Sequence, residues 1–187
     1  LKYGDQKLVD SMIHDGLWCP FEQWHMGMAA EHIAKKYGIS RAEQDVYAVE
    51  SHRRAVAAVD SGVFAKEIVP VVVPGQAAEK PVRQDEGPRL DASIETLSKL
   101  KPAFEPTGTV TAGNSSMISD GAAAVLVAAA NAEVARDSKP LARIIASAAA
   151  GVEPKELFIA PVLAIRRVLE KSMMLVADID LFEINEA

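Results

Sequence analysis

A chain of 187 residues is long enough for one domain or one and a half. Its 49% hydrophobic and 25% charged residues are ordinary for a globular protein, and no apolar run reaches membrane-spanning length. A net charge of −6 without a basic block argues against a nucleic-acid footprint, and a single cysteine, Cys19, excludes an internal disulfide and fits a reducing compartment.

In chain order, apolar residues at Leu8, Val9, Met12 and Ile13 predict a helix over Gln6 to His14, ended by Asp15-Gly16. Leu17 to Met26 reads as a loop dense in large side chains. Met28 to Tyr37 predicts a helix stopped at Gly38. Ser40 and Glu43 form a capping box that opens a long helix to about Ser61, terminated by Gly62. Ile68 to Val73 reads as a strand, and Pro70 assigns it to an edge or an irregular start. Pro74 to Leu90 is a polar surface excursion, and Ser93 caps a short helix to Leu100.

The texture changes near Gly108. Gly108 to Ser116 is small, polar and turn-rich. Beyond it, strands are predicted at Ala122 to Ala128, Ala142 to Ala149 and Ile179 to Ile184, with helices at Asn131 to Arg136 and Ala160 to Ser172. Strands alternating with helices indicate a layered βαβ core, whereas the first half is rich in helix and loop. The fold class is therefore α/β: a helical and loop domain followed by part of a layered βαβ core.

Four constellations could carry chemistry. Trp18, Phe21, Trp24, His25 and Met26 make an apolar wall with one titratable group, which suits a ligand cleft or a small core under a loop. Gly113-Asn114-Ser115-Ser116 supplies close backbone approach and short hydrogen-bonding arms, which suits a polar ligand or a structural turn. Asn185 follows an apolar strand, where an amide holds a water or caps the next helix. Cys19 lacks a cation or base nearby in sequence and reads as a small buried hydrophobe. His14, His32 and His52 are spread over separate helices, so no metal-ligand spacing emerges. Arg41, Arg53, Arg54, Lys99 and Lys101 read as solvated faces. No phosphate loop or dinucleotide glycine fingerprint is present.

Taken in order, these stretches resemble the thiolase family of acyl-CoA acyltransferases. The resemblance rests on Asp10 to Leu17, His25-Met26-Gly27 with Ala30-Glu31, Ile39-Ser40-Arg41 with Glu43-Gln44-Asp45, Ser51-His52, Glu67 to Pro70 and Lys99 to Phe104. Asp120 to Ala123 match as well, and the most specific parts are Gly108 to Ser116 and Asn185-Glu186-Ala187. It covers essentially the whole chain. The chain begins at Leu1 and ends inside the last motif, which suggests an internal piece of a larger enzyme.

The resemblance implies a thiolase-like fold with a coenzyme A-covering loop domain over residues 1–107. Residues 108–136 would end the N-terminal half, and 137–187 would start the C-terminal half. It implies that Leu17, Met26, Phe104 and Ala112 line a pantetheine tunnel, with His25 beside the pantetheine and Ser116 hydrogen-bonded to it. Arg89 and Thr96 would hold the adenine-nucleotide end. Asn185 would fix a water in an oxyanion hole. Coenzyme A or acyl-CoA would be the substrate, with no permanently bound cofactor and no metal. The family's nucleophilic cysteine would precede Leu1, and its His-Pro-x-Gly motif and second cysteine would follow Ala187, so this chain alone is expected to be inactive. The whole protein is expected to be a homodimer or homotetramer, cytoplasmic, or mitochondrial or peroxisomal in a eukaryote. The alternative is a non-catalytic acyl-CoA- or lipid-binding protein on the same scaffold; a more distant one is a structural domain whose aromatic loop is a protein interface.

Overall fold

The computed structural model describes residues 3–5, 7–74, 81–132 and 139–185. Contacts divide the chain into two compact units, Leu1–Met117 and Ile118–Ala187.

In the first unit, the Asp10 carboxylate accepts from the backbone N–H of Met12 at 2.9 Å and of Ile13 at 3.3 Å. One wide π turn follows over Met12–Leu17. The regular helix expected over Gln6 to His14 is therefore replaced by a later, shorter turn that contains Gly16; Gln6 itself lies outside the described residues. Leu8 and Val9 stand exposed, so no apolar face is buried to offset the cost of a regular helix there.

Trp18–Cys19 (β1) and Trp24–His25 (β2) pair antiparallel, with Trp18 opposite His25 and Cys19 opposite Trp24. The loop expected between Leu17 and Met26 thus contains a tight hairpin. Its turn is closed by Gln23 N–H donating to Cys19 C=O at 2.9 Å, with Gln23 in the left-handed region.

Helix α1 (Met26–Tyr37) starts two residues earlier than its apolar spacing predicts, because the His25 side chain caps it. Gly38 ends it at φ 67°, and its N–H bonds to Ala34 C=O. Helix α2 (Arg41–Asp60) opens on the predicted capping box of Ser40 and Glu43 and closes before Gly62, at φ 73°. Helix α3 (Ile94–Ser98) is capped by Ser93. The strand expected at Ile68 to Val73 is reduced to one antiparallel bridge, Val71 to Val82. A second bridge, Pro102 to Thr111, lays the residues before Phe104 against the Gly-rich turn. Among the described residues of this unit, the buried apolar ones are Cys19, Ala29, Ala34, Leu97 and Val110.

In the second unit a 3₁₀ turn (Pro154–Ile159) runs into helix α4 (Ala160–Ser172), whose bounds match the predicted ones. Pro161 sits in its first turn, where no intrahelical donor is required. Arg167 Nη1 donates to Ala149 C=O at 2.7 Å and Lys171 Nζ to Ser147 C=O at 3.1 Å, tying α4 to the preceding segment. The strands expected at Ala122 to Ala128, Ala142 to Ala149 and Ile179 to Ile184 form no ladder among the described residues. Their apolar side chains, Val125, Leu126, Ile144 and Leu181 among them, are exposed. A strand exists only through a neighbour that takes its N–H and C=O groups, and apolar alternation does not supply one. The helix expected over 131–136 falls mostly outside the described residues.

Candidate functional site

The best-defined cluster is built where β2, α1 and the 102–104 segment meet. His25 and Phe104 stack, with ring centroids 4.8 Å apart and planes 31° from parallel. His25 Nδ1 accepts from Gly27 N–H at 3.1 Å. A ring nitrogen that accepts carries no proton, so the neutral imidazole keeps its proton on Nε2. Gly27 lies so close under the Phe104 ring that a Cβ would collide with it. Met26 and Leu17 are half-buried on the flanking elements. Trp24 stacks loosely on His32, with centroids 6.1 Å apart. Its indole N–H is buried with no acceptor among the described residues. Cys19 is free and buried, as expected for a small hydrophobe.

The second part is the turn from Gly108 to Ser116. Ala103 N–H donates to Val110 C=O at 2.9 Å, which brings Phe104 and this turn side by side. Within the turn, Asn114 Oδ1 accepts from Thr111 N–H at 2.7 Å. Asn114 Nδ2 donates to Thr109 C=O at 3.0 Å and to Asp45 at 2.9 Å. Ser115 Oγ donates to Thr111 C=O at 2.8 Å. Of the two readings open for Gly113-Asn114-Ser115-Ser116, Asn114 and Ser115 take the structural one. Ala112 and Ser116 stay exposed.

The remaining predicted residues are engaged locally or stand exposed. Thr96 Oγ1 accepts from Ser93 N–H at 3.0 Å and closes the capping box of α3. Arg89 is exposed, and its backbone N–H donates to His52 Nδ1 at 3.2 Å. Asn185 is exposed and belongs to the second unit.

Three residues that the sequence marks only as part of the resemblance carry a buried network. Arg41, expected on a solvated face, is half-buried. Its Nε donates to both Asp45 oxygens at 3.0 and 2.9 Å, and its Nη2 to Leu97 C=O at 2.7 Å and Leu100 C=O at 3.1 Å. Asp45 is 3% exposed and Glu31 is 6% exposed. Both have signals in retrospect. Arg41 and Asp45 are four apart on one helix, and Glu31 stands on a face of small buried residues with Gly27 and Ala34. A cavity of about 400 Å³ shares Glu31 and Thr109 with this network, but it is lined by Ala34, Lys35, Ile39 and Ser40 and by none of the predicted site residues. Among the described residues, no three His, Cys, Asp or Glu side chains gather as a metal site. No helix of the described residues is long and apolar enough to cross a membrane.

Comparison with known proteins follows the same line. Residues 1–131 match the family described as thiolase, N-terminal domain, and residues 138–187 match thiolase, C-terminal domain. The chain is 49% identical over 184 residues to a probable acetyl-CoA acetyltransferase of Escherichia coli (strain K12), covering 98% of this chain and 47% of that one. It is 48% identical over 188 residues to an acetyl-CoA acetyltransferase of Pseudomonas aeruginosa, covering 100% and 48%. Its structure superposes on human mitochondrial 3-ketoacyl-CoA thiolase in complex with CoA with a TM-score of 0.91 at 40% identity, covering 100% of this chain and 46% of that one. The chain thus spans about half the length of the relatives it matches. With both domain matches falling on one chain, and with the His25–Phe104 stack set beside the Gly108 to Ser116 turn, the chain belongs to the thiolase family and has the fold of that family.

Proposed function

We propose that the protein to which this chain contributes is an acyl-CoA acyltransferase of the thiolase type, and that this chain supplies the walls that hold coenzyme A. The observation that carries the reading is the stack of His25 on Phe104 beside a turn whose backbone is braced from within. It leaves an aromatic and apolar wall next to exposed Ala112 and Ser116, which suits a long, thin, mostly apolar arm with a few amides. A structural neighbour's complex with CoA supports the same ligand class.

In this reading Leu17, Met26, Phe104 and Ala112 line the pantetheine, His25 lies beside it, and Ser116 hydrogen-bonds it. Arg89 and Thr96 face the adenine-nucleotide end, Arg89 through its charge and Thr96 at the head of α3. In synthesis a cysteine thiolate elsewhere in the whole protein attacks the thioester carbonyl of acetyl-CoA, and coenzyme A leaves as its thiolate. In degradation it attacks the 3-keto carbonyl of a 3-ketoacyl-CoA, and the C2–C3 bond breaks as acetyl-CoA leaves as its enolate and is protonated. Either way an acyl-enzyme results. Asn185 holds the water that donates to the developing oxyanion. Coenzyme A in degradation, or the α-carbon of a second acetyl-CoA in synthesis, then takes the acyl group. Coenzyme A is substrate here, with no permanently bound cofactor.

Residues 1–107 form the coenzyme A-covering domain, 108–136 end the N-terminal half and 137–187 begin the C-terminal half. The match of one domain description up to 131 and of the other from 138 supports the later division. The whole protein is a homodimer or homotetramer, cytoplasmic, or mitochondrial or peroxisomal in a eukaryote. The 187-residue chain alone is inactive.

The test is acetoacetyl-CoA thiolysis by the whole protein and its Asn185→Ala variant. Loss of one oxyanion donor is expected to lower kcat roughly a hundredfold with little change in KM. A wild-type protein that binds coenzyme A but turns nothing over would favour the non-catalytic binding reading instead.

A further inference from the structure

We propose that Glu31 and Asp45 are positioning residues for coenzyme A, a role that rests on the functional reading above. From two different helices they set the backbone of the turn that presents Ala112 and Ser116.

Three consecutive backbone amides of this turn are each taken by a side-chain oxygen. Glu31 accepts from Thr109 N–H at 2.8 and 2.9 Å and from Val110 N–H at 2.7 Å. Asn114 accepts from Thr111 N–H at 2.7 Å. Asn114 is in turn aimed by Asp45, which receives its Nδ2–H at 2.9 Å. Glu31 Oε2 also accepts the Thr109 hydroxyl at 2.9 Å, and that hydroxyl oxygen receives Gln44 Nε2–H at 2.8 Å. Thr111, at the centre, is fully buried. The turn is therefore held by α1 through Glu31 and by α2 through Asp45 and Gln44.

Burying two carboxylates is costly unless each is fully hydrogen-bonded, and simple ladder bonds would hold a turn that had only to connect two segments. The charged brace instead fixes the turn's shape before a ligand arrives. Charge-assisted hydrogen bonds to backbone N–H are the stronger kind. Preorganisation of this sort raises affinity by removing the ordering cost from the binding step. Glu31 and Asp45 are both buried, while Ala112 and Ser116 are exposed, so the carboxylates act through the turn rather than by touching the ligand.

The experiment compares KM for coenzyme A and kcat in the whole protein. Glu31→Ala is expected to raise KM about tenfold with kcat within about threefold, the loss of roughly one good hydrogen bond's worth of ordering. Glu31→Gln keeps an oxygen for the two amides and is expected to recover most of the loss. Gly62→Ala strains the left-handed residue after the far end of α2 without touching the turn and is expected to leave KM unchanged. A folded Glu31→Ala protein with wild-type KM overturns the positioning role, as does a Gly62→Ala protein whose KM rises equally. If Glu31→Ala does not fold, Asn114→Ala removes the other half of the brace, the acceptor of Thr111 N–H that Asp45 holds in place. A KM rise of about threefold then supports the role, and an unchanged KM overturns it. A wild-type protein that neither turns over acetoacetyl-CoA nor binds coenzyme A in a calorimetric titration overturns the functional reading, and the positioning role with it.

Discussion

His25 and Phe104, 79 positions apart in the chain, stack at a centroid distance of 4.8 Å, and Gly27 is the residue that lets them do so. The His25 ring is pinned by its own helix, since Nδ1 caps α1 through Gly27 N–H. The Phe104 ring lies over the same glycine, in space a side chain would fill.

Gly27→Ala should therefore displace the Phe104 ring. Overpacking of this kind costs about 1–3 kcal/mol, and the denaturant midpoint should fall without a change in slope. Phe104→Ala in the same protein should remove the clash, so the double variant should be more stable than the two single losses added together. Strict additivity in that cycle would show that the ring and the glycine do not interact.

Asn114 makes a second prediction. Asn114→Ala strands the Thr111 N–H and the Thr109 C=O, and the loss should be about 1–3 kcal/mol by chemical denaturation. Asn114→Asp should be worse near neutral pH, because it sets a second carboxylate against Asp45, now 2.9 Å from the amide. Equal stability of the two variants would refute the contact with Asp45.

Arg41 is the cation that accompanies Asp45. Arg41→Ala leaves a 96%-buried carboxylate side chain without the guanidinium whose Nε bonds both its oxygens and frees the Leu97 and Leu100 carbonyls. The loss should be about 3 kcal/mol. Arg41→Lys keeps the charge but not the planar fork, so it should recover only part of that loss. Full recovery by lysine in a thermal melt would mean that charge alone matters.

Glu50 gives a pH prediction. It accepts from Arg53 Nε at 2.6 Å, from Arg53 Nη2 at 2.7 Å and from Arg54 Nε at 2.6 Å. The Arg53 bonds first, then the Arg54 bond, lower its carboxyl from 4.5 to about 2. The folded value lies below the unfolded one. The stabilisation is thus fully present above about 4.5 and is lost as pH falls through about 2. Glu43 shifts in the same direction, held down by the Ser40 hydroxyl and then by the Ser40 backbone N–H. Both sites are exposed, so the effects are small and weaken with salt. The Tm difference between wild type and Glu50→Gln should shrink below about pH 4.5 and vanish near 2. A difference that stays constant across that range would exclude the ion pair as its source.

The starts of α2 and α3 and the C-terminal ends of α1 and α2 were legible because the signals are local. Ser40 reaches Glu43 within one turn, Ser93 reaches Thr96, and Gly38 and Gly62 take left-handed backbone on their own account. The early turn was misplaced for an equally local reason: Asp10 offers its carboxylate to Met12 and Ile13 before a regular helix can begin. The three strands expected beyond Gly121 were read from apolar content alone.

The amino-acid sequence by itself determined the helix caps, the family motifs and so the kind of ligand to look for, because each of these is written within a few neighbouring residues. Only the tertiary structure decided that Glu31 and Asp45 spend their charge on a turn 78 and 69 positions away, and that Arg41 reaches carbonyls 56 and 59 positions away. The physical reason is the same for these braces and for the unpaired strands. A hydrogen bond between distant segments, whether from a buried carboxylate or along a sheet ladder, needs a partner that no local pattern names.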